Sequence, residues 1–205
     1  MSIVAYNNRS IANISAVPGA ATSLILIKTV TVSSATANVT FVNGSSDVIL
    51  DDTYPIYRFV FINCLPSSDG VKLKYNFSVD TGSNYNVTKT SSNFYAGHTE
   101  ADATGSGQDS GLAQSTNDAF GTVGAIGSAA DEGCSGEMFL FNPASTTFVK
   151  HFLGQVTIYG SNPQSQITYT AGYCNTTSAV DAVRVKFESG NIASGTIKLY
   201  GIKDS

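Results

Sequence analysis

Two aspartates stand in the short motifs that aspartic proteases use, Asp80-Thr81-Gly82-Ser83 and Asp109-Ser110-Gly111. That chemistry needs two carboxylates sharing one proton. In those enzymes each motif follows an apolar strand in its own lobe, whereas Asp109 follows Gly105-Ser106-Gly107-Gln108 and lies close to the first motif in sequence. Asp80-Thr81-Gly82 therefore reads as a polar turn after a strand.

The stretch Gly97-His98-Thr99-Glu100-Ala101-Asp102 puts a histidine beside two carboxylates, the types a general base or a metal ligand requires. A second donor set is lacking, because His151 is the only other histidine and sits within an alternating run. Ser135, in Gly133-Cys134-Ser135-Gly136, lacks the G-x-S-x-G spacing of a hydrolase elbow. Asp47, Asp51, Asp52 and the pair Asp131-Glu132 are loop acids without the spacing of a calcium-binding helix-loop-helix. No glycine-rich phosphate cradle occurs. Cys64, Cys134 and Cys174 are odd in number and widely spaced, which favours small buried thiols over a disulfide framework or a zinc site. No catalytic residue, cofactor or metal is assigned. The N-x-S/T sequons, Asn86 among them, are what an Asn-, Ser- and Thr-rich chain contains by chance.

Tyrosine is the one enriched binding-type residue, with ten Tyr and no Trp. Tyr85 and Asn86, Tyr95 and Tyr173 are the candidates for stacking on a sugar ring of a host glycan. The competing reading is that tyrosine is simply a good strand residue with a wet tip.

The elements that position these residues follow from the composition. Only 13% of the 205 residues are charged while 42% are apolar, and Ser, Thr, Asn and Gly fill the gap. A net charge of −4 with no Lys/Arg-rich run offers nucleic acid no electrostatic footprint. No apolar run approaches membrane-helix length, and the first twenty residues lack the basic start and apolar block of a secretory signal. The chain reads as made in a cytoplasm.

Alternation with a period of two dominates. Val71, Leu73, Tyr75, Phe77 and Val79 alternate with Lys72, Lys74, Asn76, Ser78 and Asp80, a strand with one buried face. Asp69-Gly70 before it predicts a hairpin with Tyr57 to Leu65, and Ser33-Ser34 predicts another between Thr29 to Val32 and Ala35 to Phe41. Further runs lie at residues 85–95, 137–141, 147–159, 166–173, 183–187 and 195–202. No stretch carries a helical apolar stripe. Nine or ten short strands predict an all-β, two-sheet β-sandwich, jelly-roll-like, with an immunoglobulin-like sandwich as the alternative.

Two regions break the pattern. Residues 1–23 read as an extended N-terminal arm that anchors the 24–205 sandwich domain to neighbouring subunits, with Asn7, Asn8, Arg9, Ile11 and Ile14 as its contact residues. Residues 98–133, rich in Gly, Ala, Ser and Asp with Phe120, Val123 and Ile126 as apolar anchors, read as a long surface excursion.

Four stretches carry a likeness. Asp51-Asp52-Thr53-Tyr54-Pro55-Ile56-Tyr57-Arg58-Phe59-Val60-Phe61-Ile62-Asn63, Gly82-Ser83-Asn84-Tyr85-Asn86-Val87-Thr88, Leu140-Phe141-Asn142-Pro143 and Ser194-Gly195-Thr196-Ile197-Lys198-Leu199-Tyr200-Gly201-Ile202-Lys203 together resemble virion structural proteins of marine tailed phages, the cyanophage- and pelagiphage-like group. The resemblance implies a small, non-enzymatic decoration or fibre component of the bacteriophage particle. Its partners would be other capsid or tail proteins and further copies of itself, with a trimer favoured. The alternative it leaves open is a tail-fibre module that binds a host receptor or carbohydrate.

Overall fold

Every described strand runs antiparallel to its neighbours, and the strands divide into two sheets packed face to face as a β-sandwich. The computed structural model describes residues 23–204, with the side chains of Asp109, Ser110 and Leu112 left aside. The arm residues Asn7, Asn8, Arg9, Ile11 and Ile14 lie outside the described residues.

The strands are β1 (Leu24–Val32), β2 (Val39–Val42), β3 (Ile56–Pro66) and β4 (Leu73–Ser78), then β5 (Lys89–Thr99), β6 (Thr104–Ser115), β7 (Ala119–Phe120) and β8 (Gly133–Phe141). They end with β9 (Lys150–Tyr159), β10 (Gln164–Cys174), β11 (Ala182–Phe187) and β12 (Ile192–Ile202). The large sheet has the order β1-β12-β3-β8-β9-β10-β5-β6 and the small sheet β2-β11-β4-β7. Early strands pair with late ones in nested fashion: β1 with β12, β2 with β11, β3 with β8 and β4 with β7. The pairs β5–β6 and β9–β10 are inserted between these partners and both extend the large sheet.

Neither predicted hairpin forms. β3 and β4 lie in different sheets, as do β1 and β2, so the turn at Asp69-Gly70 carries the chain across the sandwich. Gly70, at φ +70°, does adopt the left-handed conformation read from its sequence. The chain turns at Asp69-Gly70 and bends at Ser34. Which strand then completes the ladder depends on residues far away in sequence.

Alternation builds the core. Tyr57, Phe59 and Phe61 of β3, Leu73, Tyr75 and Phe77 of β4, and Val183, Val185 and Phe187 of β11 are all buried. Aromatic rings lock the sheets together. Phe41 meets Phe59 edge to face at 5.4 Å, and Phe152 of β9 lies 5.8 Å from Tyr75 and 5.2 Å from Phe77.

Within the expected surface excursion at 98–133, residues 100–106 are exposed and β6 forms the edge of the large sheet. β6 pairs with β5, and residues 116–126 lie against the inner face of β5 and β10. That inner face is polar, with Lys89, Ser91 and Asn93 of β5 and Gln166, Thr168 and Thr170 of β10 all buried. The covering segment binds it through hydrogen bonds. Thr170 Oγ1 donates to the Phe120 carbonyl at 2.7 Å, Val123 N donates to Thr168 Oγ1 at 3.0 Å, and Lys89 Nζ donates to the Asn117 carbonyl at 2.8 Å. Contacts of this type leave no apolar period to read in the sequence.

Candidate functional site

With one set of side chains turned into the core, the intervening residues of the large sheet must form its outer face. Register places them in rows. Ala171, Leu153, Phe139, Arg58, Tyr200 and Leu26 lie side by side across six strands. One step along, Phe141, Ile56, Ile202 and Leu24 form a second row, and Phe94 and Tyr169 extend the band on the other side. Phe94 is 53% exposed, Leu26 52% and Leu153 46%. The Phe94 and Tyr169 rings stack at 4.7 Å, and Phe139 and Phe141 at 6.3 Å. Within this band Arg58 and Glu137 form an ion pair at 2.6 Å, with the guanidinium 5.7 Å from the Phe139 ring.

Contiguous exposed apolar patches recur at interaction surfaces. Sequence reading missed Phe94, Phe139, Leu153 and Tyr200 because it assigned each strand one buried face. A signal was present in Met138-Phe139-Leu140-Phe141, an apolar run without alternation.

Beyond the polar end of the same face lies a shallow groove of about 650 Å³, and here residues flagged from three stretches of sequence converge. His98 and Glu100 from the end of β5, Asp131 and Glu132 from before β8, and Ser135 all line it. Three of them are held by neighbouring residues. Glu132 accepts the Ala129 N–H at 2.6 Å, the Ser135 hydroxyl is bound to Asn63, and a Glu100 oxygen lies 3.5 Å from the Tyr159 hydroxyl. Among the described residues, no three His, Cys, Asp or Glu side chains are grouped so as to hold a metal ion.

Compared with family models, with curated proteins and with solved structures, the chain matches none.

The protease motif is a turn. Asp80 accepts the Ser78 hydroxyl at 2.7 Å and the Asn84 backbone and side-chain amides at 2.9 and 2.7 Å. These bonds, that from the Asn84 side chain foremost, hold its carboxyl below the ordinary range. The Asp109 side chain is outside the description.

The four candidate sugar contacts do not form one platform. Tyr85 belongs to the small-sheet side, where the Arg184 guanidinium lies over its ring at 4.8 Å, and Asn86 beside it is exposed. Tyr95 pairs with the buried Thr168 and packs its hydroxyl toward Gly107, whereas Tyr173 shares the outward alternation of His151, 6.0 Å away. The two therefore project from opposite faces of the large sheet.

On the outer face of the small sheet, Lys72, Lys74, Arg184 and Lys186 gather around Phe120, Tyr85 and Asp118. Asp118 is the hub, accepting from Asn76 at 2.9 Å and Arg184 at 3.0 Å. Burial pushes its carboxyl up, but the bonds from Asn76 and Arg184 and the Lys186 charge outweigh that and hold it below the ordinary value. Arg184 is thereby neutralised as a recognition group.

Proposed function

We propose that this chain is a non-enzymatic structural component of a tailed-bacteriophage virion, a capsid decoration protein or a tail-associated fibre component. It is made in the host bacterial cytoplasm and assembles with other virion proteins and with copies of itself, a trimer being favoured. The observation that carries this reading is the apolar band on the outer face of the large sheet. An isolated monomer gains nothing from displaying Phe94, Leu153 and Leu26 to water, and a particle subunit gains a contact. The nested pairing β1–β12, β2–β11, β3–β8 and β4–β7 supports reading the frame as a jelly roll enlarged by two inserted strand pairs, an architecture common among capsid and lectin domains. The resemblance of the Asp51–Asn63 and Ser194–Lys203 stretches to marine phage structural proteins points the same way.

The test is physical association. Gradient-purified particles of the phage that encodes the chain should contain it at a fixed copy number by mass spectrometry, with antibody label on the head or the tail. Finding it only in the soluble lysate would sink the reading.

One observation favours a second role for the same part, binding a host receptor or glycan. Tyr173 and His151 line a shallow groove of about 370 Å³ with Phe141, Leu153 and Gly172, a surface on which a sugar ring can stack. A glycan array and a host-adsorption assay that both stay silent would dispose of it.

A further inference from the structure

The three cysteines are widely spaced in sequence, yet the fold sets two of them opposite each other. Cys64 of β3 and Cys134 of β8 are register partners, and Cys134 Sγ lies 3.5 Å from the Cys64 carbonyl oxygen. Both are free thiols in this structure. Directly opposed residues of an antiparallel pair have Cα atoms about 4.5 to 5.5 Å apart. That falls within the roughly 4.4 to 6.8 Å a disulfide spans.

The surrounding backbone is drawn in tightly. The register is irregular between Phe61 and Cys64, and Asn63 (φ +47°), Gly133 (φ +132°) and Gly195 (φ +136°) all adopt left-handed conformations around the pair. A Cβ on Gly195 would come within 2.8 Å of Cys64 Cα, so the site tolerates no larger residue there.

We propose that Cys64 and Cys134 are a modification site, joined by a cross-strand disulfide when the protein meets a small oxidant such as a peroxide. The inference does not rest on the virion reading. Both thiols are buried, and the approach is through the polar groove, whose lining includes Cys134 and Asn63, the residue before Cys64. Polarity is also set: the hydrogen bond from Cys134 holds the Cys64 thiol below its ordinary value, and the same bond together with burial holds Cys134 well above. The Cys64 sulfur attacks the peroxide O–O bond, forming a sulfenic acid and releasing one water. The Cys134 sulfur then displaces the hydroxyl, which leaves as a second water with the Cys134 proton. Two thiols and one peroxide thus yield one disulfide and two waters. Cys174 takes no part, because its register partners are Lys89 and Lys150 and burial pushes its thiol up to about 12.

The experiment is to treat the folded protein with dilute hydrogen peroxide, quench, then denature and alkylate. Alkylatable thiols should fall from the three present in the chain to one, with the Cys64 and Cys134 peptides linked within a single chain. Dithiothreitol should restore all three. Cys174→Ser should keep the link, and Cys64→Ser or Cys134→Ser should abolish it. Three persisting thiols, unlinked sulfinic acids at these positions or a link only between chains would overturn the proposal, and the wild-type peptide map decides this even if a variant fails to fold.

Discussion

Phe94 and Tyr169 face each other across the β5–β10 ladder with ring centroids 4.7 Å apart and planes 15° from parallel, on the outer side of the large sheet. The stack extends a band that continues through Leu153, Phe139 and Tyr200 toward β1. Rings packed against each other yet open to water form a preorganised surface, because their rotamers are already fixed before a partner arrives.

Replacing two residues of that band, Phe94→Ser with Leu153→Glu, is expected to abolish self-association or particle binding while leaving the monomer folded. Exposed substitutions of this kind change stability by about 0.5 kcal/mol or less. Sedimentation velocity paired with thermal denaturation checks both halves. Unchanged association with normal melting would show that the band is not the contact.

Phe152 should behave in the opposite way. It is buried between Tyr75 and Phe77 of the small sheet, so Phe152→Ala opens a cavity between the sheets and should cost about 3–5 kcal/mol. Urea titration measures this. A loss below about 1 kcal/mol would mean that this part of the sandwich is not packed as described.

Lys89 predicts an unusual pH dependence. It is fully buried, and burial pulls its ammonium from 10.5 down to about 8. Below pH 8 the folded and unfolded chains both hold the proton, so the contribution there is flat. As pH rises from 8 toward 10.5 the unfolded chain binds more proton than the folded one, and stability increases by at most about 1.4 kcal/mol per pH unit. Lys150, lowered for the same reason, acts in the same direction. Cys174 and Tyr57, each raised by burial to about 12, oppose it once their unfolded forms ionise above pH 9 and pH 10. The urea midpoint should therefore climb between pH 8 and 9 and then turn over. Lys89→Met should reduce the climb, and an identical profile in that variant would refute the assignment.

Asp118 ties Asn76, Arg184 and Lys186 together on the small sheet. Asp118→Ala should cost about 1–3 kcal/mol at neutral pH, since it leaves Arg184 and Lys186 without their carboxylate, while the buried Asn76 amide keeps the Tyr85 and Thr116 carbonyls. With its carboxyl held below 3.8, the contribution is present above that pH and disappears as pH falls through the folded value. Melting curves at pH 7 and pH 3 should show the gap between wild type and variant closing in acid.

The core was legible where alternation was strict. Leu73, Tyr75 and Phe77 of β4 and Val183, Val185 and Phe187 of β11 are buried as the alternation predicts, whereas Val79 is 40% exposed and Asn76 and Ser78, read as outward, are buried. The 98–133 stretch was not legible, because β6 is held by backbone ladder bonds and the 116–126 cover by hydroxyls and carbonyls. Such bonds ask little of side-chain hydrophobicity. The convergence of His98, Glu100, Asp131, Glu132 and Ser135 on one groove was equally hidden, since each motif was local and the groove joins three distant segments.

What the amino-acid order determined alone was the class of structure: strands in place of helices, one greasy side for most of them, and turns at Gly70 and Gly190. Those follow from steric preferences and a two-residue period, which act over a few neighbours. Only the tertiary structure decided that Asp69-Gly70 spans two sheets, that Cys64 meets Cys134 and that Phe94, Leu153 and Leu26 share one outer face. Each of these depends on which strands exchange hydrogen bonds. Backbone groups are chemically alike along the chain, so that choice is settled by the packing of the whole sandwich.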